Sequence, residues 1–452
     1  MLRFYPSFTH EMNNLRAING SHTGILKSLV APVTKIHKEP FLKSVTGSMP
    51  HYHRFILGDP EKDMNYHLSG YGRFYQEALI KFNGESVERY AGVTSSSYAS
   101  TNIVYASYDE MCKKGPTMPL EYINIFSPEQ QKQMNQLMPR YSPVHLRSDQ
   151  TIAWVKGHSL VYPGEAIWVP RQQFFVGYEH FEGDNDPVFV PSFSTGTAAH
   201  KTTKKAMINA ITEYLQIDAF IMSWYLMRKS PKVVIDNPIV LKMLEDSGLD
   251  ADSPYDVIPL LVTMPDIDIP VYTAILKRKD KKMPYMVVGT QGDLDAESGV
   301  LRGIMESTAI ISMNTFMTIF DPEKFIFSIN ESAYTDLDTN VYYYGAPVHC
   351  EEKEEIIKKM SGEEILLSDI PSMRGESADT ILNKLIHEVK RVSKYAVYLD
   401  ITPPEVSGWG WSVMRVFIPE ICGMCLPGYP FKNHPRVLQY GGVVNDYPHP
   451  LP

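Results

Sequence analysis

The sequence predicts an α+β chain of mixed helices and strands, on three observations. Apolar residues recur at helical spacing over 201–227, 298–318 and 378–392, and β-branched and aromatic residues cluster in short runs at 152–155, 166–169, 396–401 and 412–418. The 33 Pro and 28 Gly of the 452 residues are spread along the chain, so connections are many and short, with no collagen-like or linker-like tract.

The elements follow in order. Residues 1–10 carry Arg3 without an apolar run behind it, and no stretch has the length to cross a bilayer, so a cytoplasmic protein is expected. Residues 72–90 read as a helix. The strands at 152–155 and 166–169 follow, and the polar stretch 182–186 separates this half from the next, with a subdivision expected near 182–190. The helix over 201–227 repeats Ala206, Ala210, Ile211, Leu215, Phe220 and Tyr225, with Thr202 or Thr203 available as its cap. Helices at 298–318 and 378–392, the latter capped by Ser377, precede the strands at 396–401 and 412–418. From Pro427 the chain is rich in Gly, Pro and aromatic residues and ends Tyr-Pro-His-Pro-Leu-Pro, a spacing that neither helix nor central strand tolerates.

Composition bounds the function. With 44% hydrophobic and 21% charged residues the chain has the material for a large core. Its 43 basic and 52 acidic residues give a net charge of -9, which repels nucleic acid. Four scattered cysteines suit a reducing compartment; Cys422-Gly-Met-Cys425 has zinc-knuckle spacing, but with only His349 and Cys350 as further candidates an apolar structural role is expected. Tyr342, Tyr343 and Tyr344 suit a peptide groove or plain core.

Three features carry possible chemistry. On the first helix Glu85, Glu88 and Arg89 stand at i, i+3 and i+4 and share a face. Such a face is a solvated salt bridge or a magnesium site, where oxygen ligands on a rigid element hold the ion that neutralises a triphosphate. On the second helix Glu213 and Gln216 stand at i and i+3, after the small-residue turn Ser194-Thr195-Gly196-Thr197-Ala198-Ala199, whose N–H groups could face phosphate. The spacing from Gly196 to Lys201 is one residue short of a Walker A loop, and no GxGxxG, HExxH or GxSxG occurs. The third feature is the tail, where Pro448, Pro450 and Pro452 alternate; a pre-stiffened segment loses little entropy on ordering and could aim a terminal carboxylate into a pocket.

In combination and order these features resemble the YcaO family over about residues 70–452. Gly84 to Gly92 is similar to its GEAxERYxG motif, Ser194 to Asp218 to its small-residue turn followed by ExxERDAF, and Leu301 to Met313 to its third motif, with Glu306 at the acidic position. The stretches 166–170 and 397–406 and the PxPxP ending resemble the azoline-forming branch, most of all the stand-alone D-type subunits of streptolysin S-associated complexes. The resemblance implies a YcaO fold of mixed helices and largely antiparallel sheets around an ATP site, in a domain over 70–452 behind an N-terminal segment, 1–69. It also implies ATP and Mg2+ as cofactors, with Glu85, Glu88 and Glu213 holding the metal and Lys81, Arg89, Gln216 and Glu306 completing the nucleotide site. Pro448, Pro450 and Pro452, through a terminal carboxylate, would serve the catalytic step.

The implied reaction is cyclodehydration within a bacteriocin- or cytolysin-type maturation complex. A Cys, Ser or Thr side chain of a ribosomal precursor peptide attacks the preceding amide carbon, the amide oxygen is phosphorylated, and phosphate leaves as a thiazoline or oxazoline forms. Phosphorylation turns a poor leaving group into a good one. The implied partners are the precursor peptide, an E1-like leader-binding C protein and an FMN dehydrogenase; a homodimer is compatible. The family pattern is broken at Tyr71 and Lys81, at Lys205, Gln216 and Ile217 in the second motif, and at Ile310 and Ile311 after Glu306, with Lys81, Arg73 or Lys205 as replacement cations. These departures keep open a non-catalytic YcaO subunit that binds peptide and partner, and an enzyme forming a thioamide or amidine.

Overall fold

The computed structural model describes residues 39–49, 67–98, 103–139, 143–176, 186–189, 193–330 and 333–452, with isolated positions before residue 39 and at Pro191. Most of the N-terminal segment and of the stretch 182–190 lies outside the described residues. Asp186 is described: its buried carboxylate accepts from the Ala153 amide at 2.9 and 3.0 Å.

Three sheets, largely antiparallel, organise the chain. The first joins β1 (Ser28–Val30), β2 (Lys43–Ser48) and β3 (His67–Gly72). The six-stranded sheet runs in the order β4 (Val104–Ser107), β5 (Thr151–Ser159), β13 (Val397–Asp400), β14 (Ser412–Phe417) and β7 (Thr197–His200), with β6 (Ala166–Pro170) paired to β5. The five-stranded sheet runs β11 (Met286–Gly292), β10 (Val271–Arg278), β9 (Tyr255–Leu261), β8 (Ser230–Val234) and β12 (Ser361–Leu366), where β12 lies parallel to β8.

Four long helices place the site against these sheets: α1 (Tyr75–Tyr98), α2 (Thr203–Tyr225), α3 (Ala296–Phe320) and α4 (Ala378–Val392). Thr202 caps α2 by accepting from the Lys205 amide, and Ser377 caps α4 from Thr380, as the sequence predicts. The α2 helix packs on β7 and β14 on one side and on β10 and β11 on the other. Its apolar stripe therefore widens until every residue from Ile217 to Tyr225 is buried, as expected of a helix between two sheets. The α1 helix lies on β2, β3 and β7, and α3 on β10 and β11.

One glycine sets the depth of α3. A Cβ at Gly289 would stand 2.6 Å from the Ser307 nitrogen and 2.7 Å from the Gly303 oxygen, so only glycine lets β11 and α3 touch. Ser307 then donates to the Ala274 carbonyl at 2.7 Å, and the neighbouring Glu306 reaches the Thr290 amide at 3.2 Å.

Two expectations change. The segment after Pro427 does contain a helix, Pro435–Gln439, with Pro at its first position, where no N–H is needed, and His434 as cap. It survives because Arg436 is held by Asp218 of α2 at 2.8 and 3.0 Å and by Asp266 at 2.8 Å. The turn at 194–199 leads into β7 and only then into α2, so its amides are not the end of the helix. Tyr342, Tyr343 and Tyr344 are core residues, 0%, 7% and 1% exposed. Among the described residues no helix is long and apolar enough to cross a membrane.

Candidate functional site

A cavity of about 600 Å3 opens where β3, α1, α2, β11 and α3 converge, within the range of sites that enclose small molecules. Of the residues singled out from sequence, Lys81, Glu85, Glu88, Arg89, Glu213, Gln216 and Glu306 all line it. Helical spacing turns the three α1 charges inward. Arg89 stands 3.4 Å from Glu88 and 3.7 Å from Glu85, and Glu85 also accepts from the Ser69 amide of β3 at 2.8 Å. Lys81 pairs with Glu77 at 2.9 Å and lies over the Tyr71 ring at 4.8 Å.

Glu213 comes in from α2 and receives the Gly196 amide. That contact explains the small-residue turn. Gly196 has φ +84°, and a Cβ there would meet the Val416 oxygen at 2.3 Å, so glycine is required for the turn to deliver its N–H to a carboxylate. Gln216 accepts from the Gly292 amide at 2.9 Å, tying α2 to the end of β11.

The carboxylates are crowded and short of counter-charge. Burial pushes Glu213 up to about 7 against the opposing pull of Arg89 and Arg415. Burial likewise lifts Glu306 to about 7, with the Thr290 amide and Arg302 pulling the other way. Glu88 rises well above the ordinary carboxylate range, through burial first, partly offset by Arg89 and reinforced by Glu213 and Glu85. Among the described residues no three His, Cys, Asp or Glu side chains are close enough to hold a metal ion unaided. This donor set still fits Mg2+, which usually takes one or two protein carboxylates and completes its shell with water and phosphate oxygens.

Reasoning from sequence missed four groups. Arg415, on β14, is 2% exposed and lies behind the carboxylates. All five of its N–H donors are engaged: Nε by the Phe174 carbonyl, Nη1 by the Thr195 carbonyl and Thr197 Oγ1, and Nη2 by the carbonyls of Gln173 and Phe193. An arginine inside the apolar run Ser412-Val-Met-Arg-Val-Phe417 was the available signal. Arg302 lines the cavity and pairs with Asp293 at 3.3 Å. Lys201 lies 4.3 Å over the ring of Trp411, and both line the cavity. Of the suggested replacement cations only Lys81 lines it; Arg73 pairs with Asp246, and Lys205 is exposed at the start of α2.

Pro448, Pro450 and Pro452 do not line the cavity. Three prolines remove three N–H donors, so the tail is gripped by its carbonyls: Trp224 donates to Tyr447, Tyr344 to Pro448, and Asn340 to both His449 and Leu451, the last three bonds at 2.7 Å. Cys422 and Cys425 are buried free thiols, and burial pushes Cys425 up to about 12.

A family sequence profile described as YcaO cyclodehydratase, ATP- and Mg2+-binding, matches residues 69–422. Among solved structures, a heterocyclase in complex with substrate and cofactor is similar over 99% of this chain and 57% of its own, with a TM-score of 0.72 at 16% identity. The chain thus spans little more than half of that protein's length. YcaO from Methanopyrus kandleri bound with AMPPCP and Mg2+ is similar over 92% of this chain and 91% of its own, with a TM-score of 0.63 at 16% identity. A chain of the E. coli microcin synthetase McbBCD complex follows at 0.59 and 12%, over 89% of this chain and 90% of its own. No curated protein matches the sequence.

Proposed function

The chain belongs to the YcaO family, and we propose on that premise that it uses ATP and Mg2+ to convert Cys, Ser or Thr residues of a ribosomal precursor peptide into azolines. The observation that carries the proposal is the convergence of Glu85, Glu88, Glu213 and Glu306 from three helices on one cavity, beside Lys81, Arg89 and Arg302. Acidic groups at such density would repel a nucleotide without a divalent ion between them. Bound Mg2+ would supply charge neutralisation for the transferring phosphoryl group.

The chain's own residues divide that work. Glu85, Glu88 and Glu213 are the proposed metal ligands, one or two of them to each Mg2+. Lys81, Arg89 and Arg302 are the proposed partners of phosphate oxygens, and Glu306, on α3, lies in the field of Arg302 and Lys81. Gln216 sets the distance between α2 and β11 through its bond to Gly292. For Pro448, Pro450 and Pro452 the proposed role is indirect: the tail braces the C-terminal half of the helix that carries Glu213. Residues 70–452 are proposed to act as one domain. The heterocyclase and microcin synthetase likenesses support a precursor peptide as substrate and an assembly with partners; a leader-binding, E1-like protein and an FMN dehydrogenase are the partners we propose.

Gln216 and Ile217 favour a second reading, a peptide-binding subunit without phosphoryl transfer, because they put an amide and an apolar side chain where the family pattern has a carboxylate and a cation. The test is mass spectrometry of a candidate precursor incubated with this protein, its partner, Mg2+ and ATP, with phosphate followed in parallel. Loss of one water per modified residue, matched by phosphate, establishes ring formation; an unchanged peptide that still binds favours the second reading.

A further inference from the structure

The six-stranded sheet ends inside the main cavity. Its edge strand β7 pairs on one side alone, with β14, and all four of its residues, Thr197 to His200, line the cavity. In an antiparallel pair the residues of each strand turn their N–H and C=O groups alternately toward the partner and away from it. The phase is fixed twice over. The Val416 amide donates to the Gly196 carbonyl at 2.7 Å, so residues 412, 414 and 416 of β14 face β7. On the opposite side the Val413 carbonyl receives the Ile401 amide at 3.0 Å, so 413 and 415 face β13. Ala199 stands opposite Val413 in the register, and its N–H and C=O therefore point together off the edge of the sheet.

Thr197, the other outward-turned residue, gives its N–H to the Ser194 carbonyl at 2.8 Å. Ala199 is half-buried at the border of the cavity, and neither its N–H nor its C=O has a hydrogen-bond partner among the described residues. Such a pair calls for a donor and an acceptor side by side. An extended peptide residue offers that combination, and two such residues opposite one another close both bonds at once. At ~10–15 Å3 per water-sized group the cavity of about 600 Å3 admits roughly 40–60 non-hydrogen atoms, of which a nucleoside triphosphate takes roughly half to three-quarters. The rest is space for a short stretch of peptide.

We propose that Ala199 pairs with the main chain of one residue of the peptide substrate, which thereby adds to the edge of β7 and is held in the reaction cavity whatever its side chain. The inference rests on the reading of the chain as a peptide-modifying enzyme. Direction and spacing follow from the strand. Antiparallel pairing, in which one residue exchanges both bonds with Ala199, runs the peptide from the His200 side toward Gly196. Gly196 gives its amide to Glu213, a proposed metal ligand, and stands ~10 Å from Ala199 at the rise of an extended chain. The seated residue is therefore about three positions N-terminal to the Cys, Ser or Thr that cyclises.

The probe is a fluorescent peptide of Ala and Ser with one central Cys. Binding to the full chain with Mg2+ and AMPPCP is read by anisotropy, and ring formation by mass with Mg2+, ATP and the leader-binding partner. Esters replace the peptide N–H groups one position at a time, which deletes a donor with little change of shape. The ester about three positions before the Cys is expected to weaken binding about tenfold, more than an ester at any other position, as befits the loss of one hydrogen bond. Ala199→Pro removes the other donor of the pair, and an outward-facing N–H on an edge strand is where proline is tolerated. It should weaken the unmodified peptide by a similar factor, leave AMPPCP affinity unchanged and shrink the effect of the ester, because the two bonds belong to one pair. If Ala199→Pro does not fold, the ester scan carries the test. Esters without effect at every position, no binding up to millimolar peptide, or a loss of AMPPCP affinity in place of peptide affinity, which would put a nucleobase on Ala199, would overturn the inference. A position-specific loss without ring formation keeps the pairing and removes the proposed function; ring formation with an even scan does the reverse.

Discussion

Replacing Glu213 by Gln should stabilise the ligand-free protein at alkaline pH while destroying its response to Mg2+ and ATP. Burial holds the folded Glu213 carboxyl at about 7, against an ordinary value of 4.5. A carboxyl raised on folding binds its proton more tightly in the native state, so its contribution is fully favourable below pH 4.5 and is lost as pH rises from there through 7. Above pH 7 the ionised group costs up to roughly 3 kcal/mol relative to the unfolded chain. Gln keeps an oxygen for the Gly196 amide and carries no charge at any pH. For a chain of this length 1 kcal/mol moves Tm by roughly 1 °C. Thermal scans of apo protein should therefore show the variant and the parent melting together at pH 4.5, and the variant about 3 °C higher at pH 8. Saturating Mg2+ and ATP should raise the parent's Tm and leave the variant's in place. A variant destabilised equally at both pH values would refute the claim that carboxylate crowding, and not packing, sets the energetics of this cavity.

Three further outcomes follow from the same geometry. Glu88→Gln should abolish ATP-dependent ring formation with a far-ultraviolet spectrum like the parent's; a fully active variant would remove Glu88 from the metal assignment. Metal binding should release protons, because Glu213 and Glu306 are about half protonated at pH 7: calorimetric titration of Mg2+ and ATP at pH 6.5 in two buffers of different ionisation enthalpy should give different apparent enthalpies, converging by pH 9. Arg436→Met should cost about 3–5 kcal/mol by leaving Asp218 buried without its partner, seen as a large drop in Tm or a failure to accumulate.

The helices were legible because their signals are local. Thr202 and Ser377 cap the helices whose apolar spacing begins beside them, and i, i+3, i+4 spacing put Glu85, Glu88 and Arg89 on one face. That face was readable as a site only through resemblance, since the same spacing on a solvated helix makes an ordinary salt bridge. Arg415 was not legible because its role comes from strand pairing: β14 sets it opposite Thr197, a distance of 218 residues along the chain. The helix at Pro435–Gln439 was hidden for a similar reason, since Gly and Pro around it argue against helix and the ion pairs of Arg436 with Asp218 and Asp266, which help hold it, reach far along the chain.

The departures from the family pattern make physical sense once the cavity is seen as a charge balance. Five carboxylates line it (Glu85, Glu88, Glu213, Asp293 and Glu306) against four cations (Lys81, Arg89, Lys201 and Arg302). Burial already lifts Glu213 and Glu306 to about 7, so a further glutamate at position 216 would raise its neighbours again and favour protons over metal. Gln216 avoids this and keeps the bond that a carboxylate oxygen would make to the Gly292 amide. Ile217 is 6% exposed in the core between the sheets, where an arginine would need buried acceptors of its own. Lys81 and Tyr71 work as a pair: with Tyr71 in β3 the ammonium comes from α1, lies over the ring and faces Glu306. Charges moved between elements can preserve the field in the cavity while the motif, read letter by letter, looks broken.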